Sequence, residues 1–73
     1  MKIRKLGSNE TEITKEDVVV LLSYSTPVAA CTPDGFVRTN SFHSVTTSRH
    51  INKWLDGRVA KQVEQSFLDG LLG

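Results

Sequence analysis

The stretch Val18-Val19-Val20-Leu21-Leu22 limits most tightly how this chain can fold. Its β-branched residues favour extended backbone. Successive side chains of a strand point to opposite sides, so both faces of this strand are apolar. A short run of that kind reads as a central strand, buried on both faces of a sheet. It has little company, because only 38% of the 73 residues are apolar. A chain of this length buries only about 60% of its unfolded surface. Tight hairpins, helix caps or self-association must therefore add to the core.

The neighbouring segments supply the rest of a sheet. Lys2 to Leu6 is a short charged strand, Gly7-Ser8-Asn9 a turn, and Thr11-Glu12-Ile13-Thr14 alternates as a returning strand should. Thr26-Pro27 breaks the central strand, and Val28-Ala29-Ala30-Cys31 forms the next, its small side chains leaving room for a helix to lie close. Thr32-Pro33-Asp34-Gly35 is a turn with Pro33 pre-setting its backbone angle, and Phe36 to Asn40 pairs back.

After Asn40 the period changes. Ile51, Trp54 and Leu55 share one helical face, Thr46 or Thr47 is the natural N-cap, and Asp56-Gly57 is a stop signal. Val59, Val63 and Phe67 repeat every four residues and predict a second helix over 58–69. The expected fold is α+β and a single domain over 1–73. It is a small antiparallel meander of four to five strands within 1–40, packed against two C-terminal helices, the first with its cap over 44–56. Phe67, Leu68, Leu71 and Leu72 are too apolar for a free tail: either they close over the monomer core or, the reading favoured here, they form the seam of a homo-oligomer.

Several function classes are excluded or disfavoured. The single cysteine, Cys31, rules out an internal disulfide and a CxxC zinc site, and it fits a reducing cytoplasm. No run approaches the ~20 apolar residues of a membrane span. Met1 to Lys5 opens like a signal peptide, but Gly7-Ser8-Asn9-Glu10 stands where the apolar stretch would be. There is no glycine-rich phosphate loop and no metal-ligand spacing, so neither cofactor nor metal is expected. The net charge of +1 is unevenly spread: from Arg38 to Lys61 five cations face one acid, Asp56. Such a segment can mark an anion-binding face.

That segment contains the candidate site. A helix N-terminus leaves backbone N–H groups unpaired and carries partial positive charge. Ser44, Thr46, Thr47 and Ser48 exceed what one cap requires, and Arg49 and His50 follow at once. The hydroxyls and N–H groups can hold a phosphate, with Arg49 adding bidentate bonds and Lys53 neutralising charge. The competing reading is a plain cap with a solvated loop. Arg38 and Tyr24 join the candidate ligand-binding residues, and Trp54 is expected in the core between helix and sheet. His43 and His50, with Arg38 or Arg49, could in principle form a metal-independent ribonuclease. Nothing in the sequence brings the two rings together, so no catalytic residue is assigned and the chain is read as non-enzymatic.

Ser23-Tyr24-Ser25-Thr26-Pro27-Val28-Ala29-Ala30, Gly35-Phe36-Val37-Arg38-Thr39 and the segment Ser44 to Leu55 also carry a resemblance. Over residues 20–56 the chain resembles a family of small uncharacterised proteins of bacterial viruses, a domain of unknown function. The resemblance transfers no chemistry. It implies an accessory protein acting in the cytoplasm of an infected bacterium, and raises Tyr24, Arg38, Thr46, Thr47, Arg49, His50, Asn52 and Trp54 as candidates. The expected function is binding of a phosphate-bearing ligand, a nucleotide or nucleic acid, at the start of the first helix. The alternative is a protein-interaction module that binds and inhibits a host protein.

Overall fold

The computed structural model describes residues 1–72. Six strands form one sheet in chain order: β1 (Lys2–Gly7), β2 (Glu10–Lys15), β3 (Val18–Ser23), β4 (Thr26–Thr32), β5 (Gly35–Thr39) and β6 (Lys61–Val63). The first five make an antiparallel meander, and β6 joins β5 in parallel. The helices are α1 (Val45–Leu55) and α2 (Gln65–Leu72). The fold is α+β.

Register sorts the side chains. Arg4, Glu12, Leu21, Ala29 and Arg38 are cross-strand partners in one row, and Ile3, Ile13, Val20, Ala30 and Val37 in the next. Partners share a face and neighbours alternate, so the rows lie on opposite faces. Ile51 and Leu55 of α1 pack on Leu21, Val28 and Ala29, whereas Leu68 of α2 packs on Val20, Ala30 and Val37. The helices therefore cover opposite faces, which is why the run Val18 to Leu22 is apolar throughout. A register shift after Leu21 sets Val28 beside Ala29 under α1, the local kink that one extra residue gives a strand.

The second helix differs from the expected span 58–69. Lys61–Val63 is a strand, and α2 begins only at Gln65. Val59, the first member of the four-residue repeat, is 92% exposed, and Phe67 is also exposed. Their spacing marks no buried face, and the open edge of β5 captures Lys61–Val63, with Val63 O accepting from Asn40 N at 2.9 Å. The C-terminal leucines close over the core. Leu68 is fully buried in its own core and Leu71 and Leu72 pack beside it, leaving Phe67 outside. Among the described residues no helix is long and apolar enough to cross a membrane.

Candidate functional site: a hydroxyl relay and an arginine-rimmed cleft

Both features lie on the α1 face. The helix cap comes two or three residues earlier than expected: extended Ser44, not Thr46 or Thr47, accepts from Thr47 N at 3.0 Å. Ser48 N also donates to Ser44 O. This cap frees the Thr47 side chain to turn inward. Thr47 Oγ1 lies 3.2 Å from Ser44 Oγ and 2.9 Å from Ser23 Oγ, and Ser23 Oγ is 2.8 Å from His50 Nδ1. With Ser44 as donor to Thr47, the hydroxyls form a continuous chain from Ser44 through Thr47 and Ser23 to His50 Nδ1. The other ring nitrogen, Nε2, faces Glu10 Oε1 at 3.8 Å.

Glu10 is the buried end of this relay. Its Oε1 accepts from Lys53 Nζ at 2.9 Å, and its Oε2 is buried without a partner. Gly7 is its register partner, and a side chain there would start 3.3 Å from Glu10 Oε1. Tyr24, in the left-handed region at φ 59, is pinned by its N–H to Asn9 O at 2.7 Å and lays its ring against His50 at 6.1 Å. Ser23, His50 and Glu10 have the membership of a nucleophile–base–acid triad. Ser23, however, is 2% exposed, and its oxygen is engaged by both Thr47 and His50. The arrangement fastens α1 to the sheet.

Two residues along β2, Glu12 repeats the clamp. Its Oε2 accepts from Trp54 Nε1 at 2.9 Å and its Oε1 pairs with Arg4 at 3.1 Å. Trp54 is half-buried rather than wholly in the core, and meets Phe36 edge to face at 5.7 Å. Beyond it opens a cleft of about 360 Å³ with Val19 and Cys31 among its apolar lining and Phe36, Trp54, Arg4, Glu12 and Arg58 completing it. Arg58 lies over the Phe36 ring at 5.4 Å and is steadied by a bond to Leu55 O. The guanidiniums of Arg4 and Arg58 outnumber the one carboxylate, so the cleft is cationic with an aromatic wall.

The eight residues expected to bind ligand thus divide. Tyr24, Thr47, His50 and Lys53 converge around Ser23 and Glu10. Thr46 and Arg49 stand exposed at the helix start, with Ser48 half-buried beside them. Arg38 reaches across from β5 to Asn52 Oδ1 at 3.3 Å, its Nε buried without a partner. His43 bonds Gln65 of α2 at 2.9 Å, so the two histidines serve different partners. Of the five cations between Arg38 and Lys61, Lys53 pairs with an acid from outside that segment, Glu10. Among the described residues no group of three His, Cys, Asp or Glu side chains could hold a metal. The sequence reading missed Glu10, Glu12, Ser23, Arg4, Phe36 and Arg58. The available signal was the i, i+2 spacing of Glu10 and Glu12, which puts both acids on one face of a strand.

No curated protein and no solved structure matches the chain. A family model without an assigned function matches residues 1–70, so the likeness takes in the first hairpin and most of α2 as well as residues 20–56, and it carries no viral source. The chain belongs to the family of unknown function DUF8033.

Proposed function

We propose that this chain is a small non-enzymatic binding protein for a phosphate-bearing ligand with a planar ring, held in the cleft of Arg4, Phe36, Trp54 and Arg58. The observation that carries this reading is the pair of guanidiniums beside an edge-to-face aromatic pair. Guanidinium forks bind phosphate oxygens bidentately, and aromatic faces stack on bases without demanding a sequence. The volume falls within the range of small-molecule sites. In this proposal the binding takes place in an infected bacterial cytoplasm, where holding a nucleotide or a nucleic-acid end would redirect host processes.

Calorimetry against mono-, di- and triphosphate nucleotides and short oligonucleotides, at two salt concentrations, tests it. Binding should weaken at least tenfold in Arg58→Ala and fall with salt. Equal loss in Arg49→Ala with Arg58→Ala unaffected would return the ligand to the helix start. Silence across the panel would sink both sites.

A second reading, docking to a host protein, has its own observation. Phe42 is 75% exposed, and Val45 and Phe67 are also exposed. All three flank the junction where His43 meets Gln65. Recovery of one stoichiometric partner from bacterial lysate, lost in Phe42→Ser, would favour it over the cleft.

A further inference from the structure

We propose that two copies of this chain pair through their α2 faces, each copy's α2 lying on the uncovered β1–β2 half of the other's sheet. The row Ile3–Ile13–Val20–Ala30–Val37 runs across five strands on one face. Its last three members are buried under Leu68, but α2 packs on β3, β4 and β5, leaving Ile3 66% exposed and Ile13 partly so. An apolar row thus passes from covered to bare within one sheet.

Charge says what fits the bare half. Lys5 and Lys15 share its face with Thr11, by pairing and alternation, while Glu10 and Glu12 turn to the α1 side. The bare face therefore centres on Ile3 and Ile13 with the cations Lys5 and Lys15 on it, and Glu16 and Asp17 stand beyond Lys15 in the β2–β3 turn. Residues 64–72 are the opposite: they carry Glu64 and Asp69, no cation, and the exposed Phe67. Each copy holds both complementary halves, so a two-fold axis satisfies them together and closes the assembly. Size agrees, since two six-residue strands offer a face about 20 Å by 10 Å and a two-turn helix is about 12 Å long and about 10 Å wide. Pairing edge to edge through β1 is disfavoured, because Lys2, Arg4 and Lys5 of the two copies would meet. The contact leaves the α1 face and its cleft open.

Sedimentation velocity from micromolar to near-millimolar protein tests the proposal, with circular dichroism checking that each variant is folded. The wild-type chain should dimerise. Ile3→Glu should weaken the dimer at least tenfold, as should the Lys5→Glu, Lys15→Glu pair. Adding Glu64→Lys and Asp69→Lys to that pair should restore it. A monomer at every concentration overturns the proposal, and so does a dimer indifferent to Ile3→Glu. If Ile3→Glu fails to fold, the charge reversal decides: no loss, or loss without restoration, counts against the contact.

Discussion

Replacing Ser23 by alanine should cost far more than one hydroxyl normally would. Ser23 Oγ joins two partners, Thr47 Oγ1 at 2.9 Å and His50 Nδ1 at 2.8 Å, in a site 2% exposed. Each hydrogen bond contributes about 1 kcal/mol net, and the substitution also leaves His50 Nδ1 short of a partner, adding at least about 1 kcal/mol. The expected loss is about 3 kcal/mol, against a total of about 4–11 kcal/mol for a domain of this length. In a thermal melt that corresponds to a fall of roughly 12–24 °C. Urea denaturation of Ser23→Ala, Thr47→Val and the double variant separates a relay from two independent contacts. In the double variant two apolar groups face each other, so its cost should be smaller than the sum of the singles by at least about 1 kcal/mol. Ser23→Ala within about 0.5 kcal/mol of wild type, or strict additivity, would refute the relay.

Three further outcomes follow from the same geometry. Lys53 is 69% exposed on its side chain, yet Lys53→Ala should cost about 1–2 kcal/mol in urea, because Glu10 keeps a buried carboxylate without its neutralising ammonium. Glu10→Gln in that background should recover part of the loss. Glu16 sits at φ 57 in the β2–β3 turn, and Glu16→Gly should raise stability by about 0.5–1 kcal/mol by removing left-handed strain, net of glycine's larger unfolded entropy. Val59→Asp should lie within about 0.5 kcal/mol of wild type, whereas Leu68→Ala should cost about 2–5 kcal/mol. A helix over 58–69 packed through Val59 would raise the first of these costs to several kcal/mol.

What could be read from the sequence was what local chemistry decides. The run Val18 to Leu22 favours extended backbone through its own β-branched side chains, and Thr32-Pro33-Asp34-Gly35 turns through its own bonds, with Gly35 at φ 122 and Thr32 Oγ1 accepting from Asp34 N. Lys61–Val63 has no such commitment. Its state is set by the free edge of β5, which no window around residue 61 contains. The helix start shows the same limit. Hydroxyls in excess of one cap are visible at Ser44, Thr46, Thr47 and Ser48, but the partner that gives Thr47 its further use is a serine 24 residues away. That pairing depends on α1 crossing the end of β3, and Glu10 reaches the same place because it pairs with Ser23 in register. A polar residue on a strand face announces a partner without saying which one.

The two helices are fastened at different numbers of points, and the difference bears on the cleft. Leu68 holds α2 by apolar contact, which is non-directional, and one directional bond joins it to the sheet at its start, from Gln65 Nε2 to Pro27 O of β4 at 2.6 Å. α1 has apolar contacts through Ile51 and Leu55, but Ser23, Glu10 and Glu12 add directional bonds at three points along its length. Three such points fix both the rotation of the helix and its position along its axis. Trp54 stands at the cleft because of that fixation, since the carboxylate of Glu12 holds the indole with one oxygen and Arg4 with the other. On the proposed reading, a ligand phosphate that draws Arg4 away releases one oxygen of Glu12 while the other still holds Trp54. The cationic rim can then respond to the ligand without moving the aromatic wall.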